Sequence, residues 1–116
     1  MSDAPILGPV NLVDDLDAAD DFEKKHTPYI SVEAAEDRTR IGVSVGHYVA
    51  HPNDADHFIS WIEIYADDAP IARFDLSPVA TAPDVSIVVS VDAGTTIRVL
   101  EYCNLHGLWA AEATIS

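Results

Sequence analysis

Five histidines and a single cysteine are the side chains of this sequence best suited to holding a metal: His26; His47, His51 and His57; Cys103 and His106. Neutral imidazole and thiolate are preferred ligands of iron, copper and zinc. Spacing decides which of them could share an ion. In Cys103-Asn104-Leu105-His106-Gly107 a turn would bring residues i and i+3 within about 7 Å, and Gly107 could take the positive φ such a turn often needs. His51 and His57 would stand roughly 20 Å apart on an extended strand, so they can share an ion only if the chain folds back between them. Pro52-Asn53-Asp54 offers that bend, because proline fixes φ, extends the residue before it, and is followed by turn formers. His26 precedes Thr27-Pro28, on a loop entering the first strand. The ordinary uses of such residues stand against this: a lone loop histidine usually sits at the surface, and a lone buried cysteine usually packs a core. Spacing alone leaves both readings open.

The elements that must position these residues read as short strands from residue 28 onward, over 28–34, 40–46, 58–66, 70–77, 84–92, 95–103 and 108–115. Several alternate with period two, as in Ile41/Val43/Val45, Val85/Ile87/Val89/Val91 and Trp109/Ala111/Ala113/Ile115. Turn formers separate them, among them Asp67-Asp68-Ala69-Pro70, Thr81-Ala82-Pro83-Asp84 and Ala93-Gly94. The pattern predicts an all-β fold, a seven-stranded antiparallel immunoglobulin-like β-sandwich carrying its site on loops. Residues 14–22 are a weak helix pattern.

The chain has 116 residues, enough for one domain. We divide it into an acidic N-terminal extension, 1–21, and a domain over 22–116. Asp14-Asp15-Leu16-Asp17 and Asp20-Asp21-Phe22-Glu23 read as a solvated face or mobile arm. No apolar run approaches the roughly 20 residues of a membrane span. The first residues lack a secretory pattern, so a cytoplasmic location is expected. One cysteine excludes a disulfide framework and a CxxC pair. With 20 acidic and 6 basic residues, the net charge of −14 repels a phosphate backbone, so no nucleic-acid partner is expected.

Three segments together resemble the superoxide reductases: Glu23-Lys24-Lys25-His26-Thr27-Pro28, the run His51-Pro52-Asn53-Asp54-Ala55-Asp56-His57-Phe58-Ile59-Ser60-Trp61-Ile62-Glu63, and Tyr102-Cys103-Asn104-Leu105-His106-Gly107-Leu108-Trp109. The likeness is to the one-iron neelaredoxin type and to the iron-binding domain of desulfoferrodoxin, and it runs from about residue 22 to the end of the chain. It implies a mononuclear non-haem iron with imidazoles from His26, His51, His57 and His106 in a plane and an axial thiolate from Cys103. His47 falls outside that set and reads as structural. The implied reaction is one-electron reduction of superoxide to hydrogen peroxide at the open position opposite the thiolate. It implies re-reduction by a donor such as rubredoxin, and a homotetramer.

Both lysines of the chain, Lys24 and Lys25, lie beside His26 and could make the local field positive on an acidic body. Lys25 matches the family's superoxide-attracting lysine. Lys24 stands where the family has a glutamate that caps ferric iron, so that role for Glu23 requires a bulged loop. Two other classes use similar residues. A blue-copper electron carrier shares the Cys-to-His loop, but the only methionine is Met1 and no axial methionine follows His106. A structural zinc module needs four ligands in a tetrahedron, not five.

Overall fold

The computed structural model describes residues 9–116, so the first eight residues of the acidic extension lie outside it. Among the described residues eight strands form two sheets. β1 (Val10–Leu12), β4 (Ile59–Ala66), β5 (Ala69–Asp75), β7 (Thr96–Cys103) and β8 (Gly107–Thr114) make one, in the order β1-β8-β7-β4-β5. β2 (Pro28–Ala35), β3 (Arg38–Val45) and β6 (Asp84–Val89) make the other, in the order β2-β3-β6. All pairings are antiparallel except β1 with β8.

The period-two pattern places the core where it was expected. Ile41, Val43 and Val45 of β3 face Ile62 and Ile64 of β4 and Ile97 and Val99 of β7, all buried, joining the two sheets in one cluster. Such alternation turns one apolar face inward along each strand.

Three features differ from the sequence reading. The seven expected strands become eight, because Val10–Leu12 pairs in parallel with Leu108–Ala110. Asn11 anchors that strand by donating from Nδ2 to the Leu108 carbonyl at 2.9 Å. The helix pattern over 14–22 resolves into a short 3-10 turn at Leu16–Ala18 and a helix α1 over Asp21–His26. α1 starts late because Asp20 and Glu23 form a capping box: Asp20 Oδ1 accepts from the Glu23 N–H at 2.8 Å, and Glu23 Oε1 from the Asp20 N–H at 3.2 Å. His26 is accordingly the last residue of a helix and not a loop residue. The exposed acidic run is solvated, as expected, and two of its members also serve as caps, Asp15 and Asp20. Among the described residues no helix is long and apolar enough to cross a membrane.

Strand direction brings the site together. β2 and β4 start, β3 and β7 end, and β8 starts at the same end of the sandwich, so the segments carrying His26, His51, His57, Cys103 and His106 all open there.

Candidate metal centre

His26 reaches the site from the C-terminal end of α1 and is wholly buried. Its Nδ1 donates to the Phe22 carbonyl one turn back at 2.7 Å, which fixes the tautomer and leaves the Nε2 lone pair facing inward. His51 is held alike, its Nδ1 donating to the Pro52 carbonyl at 2.6 Å. The β3–β4 loop can fold back onto β3 because residue 46 is glycine. Gly46 has φ +95, and a Cβ there would stand 2.8 Å from the backbone nitrogen of His51. The reversal itself lies later than Pro52-Asn53-Asp54. Asp54 and His57 exchange two backbone hydrogen bonds, 2.9 and 3.2 Å, closing a tight turn that returns His57 towards His51. Asn53 instead ties the loop to a neighbouring one, its Oδ1 accepting from the Val79 N–H at 2.8 Å.

Cys103 ends β7 opposite Gly107, the first residue of β8, and Gly107 has φ +84, the left-handed conformation the turn requires. Backbone N–H groups of Leu105 and His106 point at the sulfur and favour thiolate, while burial, helped by Glu101, pushes the thiol pKa up. A bound cation tips that balance towards thiolate.

The four imidazoles close a ring. Centroid separations run 4.9 Å from His26 to His51, 4.8 Å on to His57, 5.1 Å on to His106 and 5.0 Å back to His26, with each successive pair near perpendicular. Ligand atoms of His26, His57, Cys103 and His106 lie within 4.8 Å of one another. Cys103 Sγ is 3.4 Å from His51 Nε2 and 3.8 Å from His106 Nδ1, and His106 Nδ1 is 3.2 Å from His26 Nε2. His57 Nε2 is buried without a hydrogen-bond partner among the described residues. Buried nitrogens are almost always satisfied, and His26 and His51, whose Nδ1 protons are spent on carbonyls, turn the Nε2 lone pairs inward. A cation at their centre would satisfy His57 Nε2 and take those lone pairs, so the donor set fits a metal. Four nitrogens and one sulfur exceed a closed tetrahedral zinc site and match a five-ligand iron.

Burial lowers the pKa of His26, His51 and His106, and His51 falls to about 4. Charge repulsion from Lys25 adds to the lowering at all three. Lys25 therefore projects its charge onto the imidazole ring. Glu23 is engaged in the capping box at the start of α1, whereas His26 lies at its end. His47 stands apart and exposed, stacked on Tyr29 at 3.8 Å. Sequence reasoning gave no role to Phe22, whose ring packs on His26 and His106 at 4.7 and 4.9 Å. Nothing in the sequence around Phe22 marks it out, since its neighbours are solvated acids.

Comparison with known proteins agrees with this arrangement. Residues 18–112 match the family model described as Desulfoferrodoxin. A superoxide reductase of Pyrococcus horikoshii is 34% identical over 101 residues, which cover 79% of this chain and 88% of the relative. A desulfoferrodoxin of Nitratidesulfovibrio vulgaris is 37% identical over 95 residues, covering 82% and 68%. Among solved structures, the superoxide reductase from Nanoarchaeum equitans superposes with a TM-score of 0.74 at 27% identity, covering 79% of this chain and 94% of that one. The superoxide reductase (neelaredoxin) from Ignicoccus hospitalis does so with a TM-score of 0.68 at 34% identity, covering 78% and 80%. The family match contains His26, His51, His57, Cys103 and His106, and the chain belongs to the desulfoferrodoxin family.

Proposed function

We propose that this chain is a superoxide reductase of the one-iron type, with its iron held by His26, His51, His57, His106 and Cys103. The observation that carries the reading is the closed ring of four imidazoles with the Cys103 sulfur against it, in a chain of this family. Held by these residues, iron would supply the one electron that, with two protons from solvent, converts superoxide to hydrogen peroxide. The protein's own groups prepare that step. Neutral imidazoles add no charge and one thiolate adds a single negative charge, so a ferrous site stays net positive and attracts an anion. Lys25 adds a second positive charge felt at three of the rings. The Leu105 and His106 N–H groups hold electron density on the sulfur and tune what it donates.

A one-electron carrier such as rubredoxin restores the reduced state, and the protein assembles as a homotetramer whose mass light scattering would give. The reaction runs in the cytoplasm, where a lone thiol stays reduced, and the iron-binding domain is residues 22–116 behind an acidic extension whose strand β1 adds to the edge of that domain's sheet. The blue-copper alternative leaves two of the four ring histidines unused and has no axial methionine. The deciding experiment is the stoichiometry of superoxide consumption by iron-loaded protein. Consumption matched to donor oxidation, without oxygen release, is expected. Oxygen evolution at half the superoxide consumed would make the protein a dismutase instead.

A further inference from the structure

Two side chains of the β7–β8 hairpin reach away from it and grip the segments that carry the other histidines. We infer that Asn104 and Trp109 are positioning residues, which make this hairpin the template on which His57 and His26 are assembled around Cys103 and His106. The inference rests on the ligand set proposed above.

Asn104 brackets His57. Its Oδ1 accepts from the Phe58 N–H at 2.9 Å, its Nδ2 donates to the Asp56 carbonyl at 3.0 Å, and its own N–H donates to the Phe58 carbonyl at 3.2 Å. Both chain neighbours of His57 are thereby tied to the residue that follows Cys103. A side-chain amide does this because one planar, uncharged head offers both a donor and an acceptor. Neither an acid nor a hydroxyl of that length can span both groups in the same way.

Trp109 does the same for the other half of the ring. Its indole lies on the His26 imidazole, with centroids 4.8 Å apart and planes 18° from parallel. Its Nε1–H donates to the His106 carbonyl at 3.1 Å. One buried side chain thus sets the ring plane of His26 and the backbone of His106, two residues 80 positions apart. The His106 ring presents Nδ1 to the cluster, whereas His26 and His51 present Nε2. The hairpin does not need either side chain in order to close, because Gly107 and the Cys103–Gly107 pairing provide the turn.

The energetic reason is order. Each free loop residue costs conformational entropy to fix, and a metal that must order three loops itself binds more weakly than one meeting a preset ring. Contacts that orient ligands from behind are typically worth about 10–100-fold in metal affinity.

The test uses the full chain, metal-free, titrated with Zn(II) and Co(II) against a competing chelator. Histidine ring NMR signals of the Zn(II) form and visible absorption of the Co(II) form give spectroscopic readouts. N104A and W109L should each lose about 10–100-fold in affinity. N104D, which keeps only the acceptor, and W109F, which keeps only the stack, should fall between them and the parent. N104A should shift the ring signals of His57, and W109L those of His26 and His106. V99A, a buried change four residues back along β7, should lower thermal stability and leave affinity alone. Parent-like affinity in both N104A and W109L overturns the template, as does a loss in V99A equal to theirs. Should W109L fail to fold, N104A decides by itself, and parent-like affinity in it overturns the proposal. If Zn(II) binds the parent without shifting the four histidine rings, the ligand set falls and the template falls with it.

Discussion

The Nε2 atom of His51 lies 3.4 Å from the Sγ atom of Cys103, although 52 positions separate the two residues. The contact joins the β3–β4 loop to the end of β7 and gives the ring its fourth imidazole. His51→Ala should therefore cost more than about a hundredfold in iron affinity, beyond the loss from an outer contact, with the circular dichroism of the sandwich unchanged. Iron content after dialysis checks it, and full occupancy in the variant would remove His51 from the ligand set.

Cys103→Ser should keep the fold, since the core cluster spans both sheets and Cys103 is one small member of it. The oxidised iron form should lose its thiolate charge-transfer colour. A spectrum unchanged by the substitution would mean that sulfur does not bind the metal.

Lys25→Ala should slow the second-order reaction with superoxide about tenfold and flatten its salt dependence, with metal content intact. Lys24→Ala should do less, because the Lys25 charge is the one that bears measurably on His26, His51 and His106 through their lowered pKa values. Pulse radiolysis of the two variants at several salt concentrations measures this. Equal losses would reduce the pair to undirected local charge.

Acid should release the metal late. Burial holds the folded-state pKa of His51 at about 4, below its ordinary 6.5. The unfolded chain therefore binds the proton first, and the stability this imidazole contributes is full above pH 6.5 and lost as pH falls towards 4. A protonated imidazole cannot ligate, and a bound metal competes with the proton for the lone pair, so iron should stay bound through mildly acidic solution and leave only at pH about 4 or below. Filtration of the iron-loaded protein across a pH series follows the release. Loss already near 6.5 would show the rings to be unshielded.

Glu101 gives the opposite slope. It is wholly buried, neither carboxyl oxygen has a partner among the described residues, and burial raises its pKa well above 4.5. The folded state keeps the proton longer than the unfolded one, so stability falls as pH rises from 4.5 towards the folded-state value. Glu101→Gln should flatten that fall, and its advantage in melting temperature over the parent should grow with pH. An identical pH slope in the two proteins would mean that Glu101 does not titrate in this range.

Sequence by itself determined the sandwich and the identity of the converging residues. Alternation in Ile41/Val43/Val45 dictates which faces are buried, because strand side chains alternate strictly. Histidine and cysteine mark themselves by chemistry, and in β7–β8 the turn spacing of Cys103 and His106 puts them together locally. What only the tertiary structure decided is everything that depends on contacts between distant segments. The pairing of Val10–Leu12 with β8 has too few residues to show a period. The reversal at Asp54–His57, not at Pro52-Asn53-Asp54, is set by two backbone bonds and by Gly46 giving room to His51. The start of α1 followed from a capping box inside a run of acids that otherwise reads as solvated. Asn104 and Trp109 look like ordinary turn and strand residues until folding places Asp56, Phe58 and His26 against them. Side-chain type and local period act within a few residues and can be read along the chain, whereas hydrogen bonds and ring contacts across 46 to 83 positions exist only once strand direction has gathered the loops at one end.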